Sequence, residues 1–311
     1  MATSLYSASY WLRRRLGLTE VRREKAHLAA RRFGEILWAV MKHRMGGIGV
    51  GILVFFIGIT LAAPLLPIAD PEYGGYPQLE GPSWEHPFGT DHAGKDIFAR
   101  VIWGSQVSLA VGLLASVIAA VLGTLVGLAS GYWGGWKDES IMRINDIFLS
   151  LPWLALLIII AAVLGRLKLE AIIIAIGLTS WNFTARVVRA QVLSVKERVF
   201  VERAKAAGAG SWSILRRHIF PNVFPLVFAN TILTVAVAIL SESSLAYLGR
   251  VNKSNLSWGV ILSEADAAGA ILNGQWAWIV MPGLALVIVI LGFSLLGYAL
   301  DEILNPKLRE R

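Results

Sequence analysis

Few residues in this chain could do chemistry, and the first set to weigh is Gly89-x4-Gly94-Lys95. That spacing is the skeleton of a phosphate-binding loop, where backbone amides cradle phosphates and the lysine reaches the terminal ones. The chemistry also needs Ser or Thr after the lysine to hold magnesium, and Asp96 stands there instead. Its carboxylate would repel phosphate, and the stretch follows Pro87-Phe88 rather than a buried strand. No nucleotide site is expected in this chain. The second candidate is Glu242, in Leu240-Ser241-Glu242-Ser243-Ser244-Leu245 within an apolar run. A carboxyl group at the centre of a membrane span costs about 2.5–3.5 kcal/mol on insertion scales unless water or a partner meets it. Glu242 and Ser241 either line a path or form an interface, and their place near the end of the run favours the structural or interface role. Asp146 follows Arg143 by three residues, which predicts a local ion pair. No catalytic set and no metal set emerges. Paired carboxylates, His–Glu or Ser–Lys groups at matching depth are missing, and with no cysteine there is no disulfide, thiol nucleophile or cysteine-ligated metal.

The most informative stretch carries no catalytic group. It lies between two apolar runs, at about 190–221, and contains Val201-Glu202-Arg203-Ala204-Lys205-Ala206-Ala207-Gly208-Ala209-Gly210-Ser211-Trp212. An Ala- and charge-rich helix is expected first. Gly208 and Gly210 then allow a sharp turn. Ser211 is the expected N-cap of a second short helix, with Trp212, Leu215 and Ile219 on one face. Glu202 is placed to bond backbone or basic groups near the turn, and Pro221 marks the start of the next span. Helix connections take about 2–8 residues, so a stretch this long suits the docking of a partner.

The elements that must position these residues are membrane helices. A span needs about 20 apolar residues to cross some 30 Å of hydrocarbon. Runs of that kind occur at about 46–66, 104–131, 144–164, 169–188, 222–248 and 278–300. With 56% hydrophobic and 16% charged residues, the chain departs from the roughly 25% charged content of soluble domains. The first run is longer than the apolar core of a cleaved signal, so no signal peptide is expected. Lys and Arg set the orientation: 23 of the 29 fall in 1–45, 132–143, 186–217 and 305–311, and six in the alternate segments. That bias places both termini and the 190–221 loop in the cytoplasm. The expected architecture is an all-α membrane protein of about six transmembrane helices. A basic cytoplasmic helix at 1–45 precedes a transmembrane domain at 46–304, and a cytoplasmic tail follows at 305–311. The basic 1–45 segment suits an anionic leaflet or solvent equally. Nucleic acid is not an expected partner, because the basic residues sit between apolar runs rather than on one face of a soluble fold. Gly123, Gly127 and Gly131 smooth one face of the second span, where another helix can approach closely.

Glu202-x-Ala204-x3-Gly208, followed by Ile219-Phe220-Pro221, resembles the "EAA" loop of ATP-binding-cassette importer permeases. The likeness is nearest to the C-type permeases of dipeptide, oligopeptide and nickel importers. His86-Pro87-Phe88-Gly89-Thr90-Asp91-His92-Ala93-Gly94-Lys95-Asp96, Gly131-Tyr132-Trp133-Gly134-Gly135, Arg143-Ile144-Asn145-Asp146, Leu151-Pro152, Ser257-Trp258-Gly259 and Asn305-Pro306-Lys307-Leu308-Arg309 resemble that family too, over about residues 40–309. The chain departs from the pattern at Arg203, where Ala is usual, at Phe220, where Leu is usual, and at Arg250-Val251-Asn252-Lys253 in an outer loop. The resemblance implies a type I permease fold in a prokaryotic cell membrane and a transport subunit rather than an enzyme. The chain would form half of a pathway with a second related permease. Two separate ATPases would bind the ATP and magnesium, and an external binding protein would deliver the solute. Glu202, Ala204, Gly208, Ala209, Ser211, Trp212, Ile219 and Pro221 would then couple to an ATPase. Di- or oligopeptide is the favoured solute, with oligosaccharide or nickel as alternatives. An ion-coupled secondary transporter is the remote alternative, since it calls for charged groups deep in the spans, and these spans hold few.

Overall fold

A computed structural model describes Arg31 and residues 34–304. Most of the basic segment expected to be helical and the whole of the 305–311 tail lie outside them. Among the described residues the chain is helical, with two isolated bridges, Thr90 to Asp96 and Leu167 to Val251, in place of strands. Helix α1 spans Arg44–Ala62, α2 Ile97–Trp133, α3 Gly135–Ser150, α4 Trp153–Leu164, α5 Leu169–Thr179 and α6 Trp181–Lys196. Two short helices follow, α7 over Val199–Ala206 and α8 over Ser211–Ile214. A wide π turn at Leu215–Ile219 leads into α9, Phe220–Tyr247, and then come α10, Trp258–Ala267, and α11, Trp276–Leu304. Among the described residues five helical stretches are long and apolar enough to cross a membrane, and six if the bent pair α3–α4 is one span.

Helix α2 organises the bundle. Its 37 residues reach about 55 Å at 1.5 Å per residue. The Asp96 side chain caps its start by accepting from the Ala99 amide. Its glycine face seats α6, as the spacing predicted. A methyl group on Gly123 would come within 2.6 Å of the Thr184 Cβ, and one on Gly131 within 2.8 Å of the Val192 Cβ. Only hydrogen at these positions allows the two backbones so close.

The third apolar run, 144–164, is not one straight span. Helices α3 and α4 meet at Leu151-Pro152 with a bend of 85°. The proline ring disfavours helical angles at the residue before it, and Leu151 is extended, with ψ of 134°. The fourth run continues past 188 to Lys196, and the fifth belongs to a helical path that starts at Ser211. Asp146 does not pair with Arg143. Its carboxylate takes the Arg186 guanidinium at 2.6 Å, while Arg143 lies 3.9 Å from Glu139. A facing helix offers Asp146 better geometry than its own helix does.

Two ends of the bundle differ in character. At one end, residues 66–96 fold over the start of α2, and α10 tucks in beside them. Trp258 is fully buried there, its indole N–H donating to the Val101 carbonyl at 2.8 Å. Arg100 donates to Asp91 at 2.8 Å and to Glu264 at 2.7 Å, tying the 66–96 segment, α2 and α10 together. At the other end lie the close of α2, α3, α6, α7 and α8. Arg189 there holds Asp138 through two bonds of 2.6 Å, and Lys196 donates to the Gly131 carbonyl at 3.1 Å.

Candidate functional site

The α7–α8 stretch is built as a rigid projection. Charges along α7 suit its dipole, with Glu202 near the start and Arg203 and Lys205 in the last turn. The helix stops in a Schellman arrangement. Gly208 N–H donates to the Lys205 carbonyl at 2.9 Å and Ala209 N–H to the Ala204 carbonyl at 3.0 Å, which satisfies carbonyls that a helix end leaves open. This geometry puts Gly208 at φ of +78°, in the left-handed region that glycine alone occupies without a Cβ penalty. Ala204 and Ala209 both pack against one buried cluster. The small residues of the motif thus have a local cause: they let the chain reverse tightly and still lie flat on the bundle.

That cluster is the seat of the projection. Val201, Ile214, Leu215 and Ile219 lie buried against Val188, Val192 and Val195 of α6 and Val223 and Val227 of α9. The valines recur at i, i+4 and i+7 on α6, a signal present in the sequence that the motif reading passed over. Above the seat, Glu202, Arg203, Lys205, Arg216 and Arg217 are exposed. A load applied to this surface would pass straight into α6 and α9, because the packed core between them is close to incompressible.

Three expectations for this stretch need correction. Ser211 is the exposed first residue of α8, and the cap position belongs to Gly210, which is extended and bonds through no side chain. Trp212 is 73% exposed and does not share the buried face of Leu215 and Ile219. Ile214 is buried in its place, and Trp212 walls an apolar groove of about 720 Å³ with Trp133, Leu128 and Phe224. Glu202 is exposed and makes no hydrogen bond or ion pair among the described residues. Pro221 lies in the first turn of α9, where a missing N–H is tolerated. Asn222 donates to the His218 carbonyl at 2.7 Å beside it.

Glu242 and Ser241 sit at the opposite end. Both are fully buried. The Ser241 hydroxyl is used within its own helix, donating to the Val237 carbonyl. The Glu242 carboxyl group is enclosed by Ser257, Ser243 and Ser108, with the Ser243 hydroxyl at 3.3 Å. Three elements, α2, α9 and α10, therefore meet at one carboxyl group. Glu242→Gln is expected to leave assembly within about twofold of wild type, since the amide keeps an acceptor. Glu242→Leu is expected to lower the yield of assembled protein several-fold, because buried hydroxyls left unpaired cost about 1–3 kcal/mol. Size-exclusion yield in detergent reads both. Loss of uptake in the Gln variant with yield unchanged would give Glu242 to the pathway instead.

The Gly89–Lys95 stretch makes no phosphate cradle. The amides of Ala93 and Lys95 point at the Asp91 carboxylate, at 2.8 and 2.9 Å, and Lys95 pairs with Glu72. Asp96 caps α2 and holds the His86 ring at 2.7 Å. Donors that would meet a phosphate are already taken by the chain's own acids.

Comparison with known proteins agrees with this architecture. The model of the family described as "binding-protein-dependent transport system inner membrane component" matches residues 123–310. The chain is 36% identical over 288 residues to the dipeptide transport system permease protein DppC of Alkalihalophilus pseudofirmus, covering 92% of this chain and 93% of that protein. It is 37% identical over 260 residues to the glutathione transport system permease protein GsiD of Escherichia coli, covering 83% and 84%. The inward-facing structure of the MetNI methionine ABC transporter shares the fold, with a TM-score of 0.53 at 21% identity over 67% of this chain and 95% of that chain. A family match across more than half of the chain, and relatives this similar along most of it, place the chain among the binding-protein-dependent transport system inner membrane components, multi-pass proteins of the cytoplasmic membrane.

Proposed function

We propose that this chain is one of two permease subunits in an ATP-driven importer of di- or oligopeptides, and that residues 197–220 are the element through which a separate ATPase drives it. The single observation behind the coupling role is the construction of α7 and α8: an apolar underside locked to α6 and α9, below a surface of exposed charged side chains. A mere connection needs neither. The Lys and Arg bias supports a cytoplasmic position for this end, where ATP is. The peptide assignment draws on the relatives, whose names specify dipeptide and glutathione transport. The second permease, the two ATPases that hold ATP and magnesium, and the external binding protein follow from the same family reading.

A photoreactive amino acid in place of Arg203, within the assembled importer, tests the docking. The expected adduct is with an ATPase subunit, and the same probe in place of Lys253 is expected to give none. An Arg203 probe that labels only lipid or an external protein would defeat the proposal.

A further inference from the structure

The 66–96 segment takes no part in the coupling role, yet a network of backbone and side-chain bonds ties it down. Leu79 N–H donates to the Asp91 carbonyl at 3.1 Å, Thr90 N–H to the Glu80 carbonyl at 3.0 Å, and Ser83 N–H to the His86 carbonyl at 2.9 Å. The Ser83 hydroxyl accepts in return from the His86 amide at 3.0 Å. Buried pairs, His86 with Asp96 and Arg100 with Asp91, hold the base. The segment even keeps Leu79 at φ of +56°, a left-handed conformation uncommon for a residue other than glycine. Such a loop is fixed in shape before anything meets it.

On this frame Trp84 is wholly exposed. It stands in the Ser83–His86 turn, beside a cleft of about 490 Å³ that Glu85, His86, Tyr76 and Asp96 line. An indole carries one of the largest apolar surfaces of any side chain, and holding it rigidly in water has no benefit within this chain. The surroundings are acidic. Between 67 and 96 stand Asp70, Glu72, Glu80, Glu85, Asp91 and Asp96 against Lys95. Asp91 is neutralised by Arg100, Asp96 faces His86, and Lys95 takes Glu72. Asp70, Glu80 and Glu85 form no ion pair among the described residues. Of these three, Glu85 lines the cleft beside Trp84, and a rigid aromatic anchor next to an open charge is the anatomy of a protein-binding hot spot.

We infer that Trp84 with the cleft beside it is a docking site for a soluble extracytoplasmic protein that offers an apolar pocket to the indole and a basic side chain to Glu85. The inference rests on the importer reading above, in which this end of the bundle faces outward and the partner is the external binding protein. A preformed loop loses little entropy on binding, and the charge of Glu85 sets the approach and its rate.

The test uses the whole importer in nanodiscs and its own external binding protein, with association followed by interferometry. Trp84→Ala is expected to weaken binding by about 30-fold, with the yield of the complex and its unstimulated ATP hydrolysis unchanged. Glu85→Lys is expected to slow association and flatten its dependence on salt. If wild type binds the external protein and both variants bind equally well, the site is wrong and the importer reading stands. If wild type binds no external protein, the importer reading itself fails. A photoreactive residue in place of Trp84 that labels lipid or the second permease, and not the external protein, also overturns the site.

Discussion

Replacing Gly208 by Asp is expected to abolish uptake while leaving insertion and fold intact. The reason is specific to this position. Gly208 has φ of +78°, and other residues generally pay about 1–2 kcal/mol there, with Asp and Asn the most tolerant. Asp is therefore the substitution least able to break the turn. A Cβ at Gly208 meets nothing within 4 Å in this chain, so the new carboxylate projects into open space that a docked partner would occupy. A merely structural turn would accept it. The coupling role predicts that the ATPase co-purifies at least about tenfold less well, equivalent to about 1.4 kcal/mol. Gly208→Val serves as the contrast, since a β-branched side chain at positive φ is strained in the chain itself and should lower thermal stability as well. Uptake and co-purification at wild-type levels in Gly208→Asp would refute the coupling role.

Replacing Arg100 by Met is expected to cause the largest loss of stability. Arg100 is 2% exposed and carries Asp91 and Glu264 on separate nitrogens. Removing the cation leaves two carboxylates facing each other with little water, and breaking a buried pair in this way costs about 3–5 kcal/mol. For a protein of this size that corresponds to a fall of about 10 °C in melting temperature. Combining Arg100→Met with Asp91→Asn and Glu264→Gln removes the stranded charges and is expected to restore most of the loss. Thermal unfolding in detergent checks both. A single variant that melts within about 1 °C of wild type would show that the three groups are not coupled.

Much of this was legible in the sequence because bilayer thickness imposes a length that soluble folds do not. The apolar runs, the close approach of another helix to the glycine face of α2 and the helix–turn–helix of 199–214 follow from composition and glycine placement alone; that the partner is α6 does not. The break at Leu151-Pro152 was legible too, since a residue before proline seldom stays helical; a count of apolar residues along the run does not register it. Other features depend on partners distant in the chain. Asp146 had Arg143 nearby, but Arg186 met it across the bundle. Arg100 and Glu264 lie 164 residues apart, and no periodicity announces such a pair. Trp212 was misplaced because helical spacing says which residues share a face and not what covers them: Trp212 faces Leu128 and Phe224 across an open groove and stays exposed. In the 202–209 motif the residue types pointed to a turn, while the reason for two alanines, the packing of Ala204 and Ala209 against one buried cluster, needed the structure.

The most direct measurement is uptake by proteoliposomes that contain this chain, the second permease and the two ATPases, with the binding protein and a labelled dipeptide on the opposite face. The account predicts accumulation only when ATP is on the side of the membrane that carries Arg203 and Ser211, and none when the Gly208→Asp chain replaces wild type. Uptake by vesicles holding this chain alone, driven by an ion gradient without ATP, would contradict it.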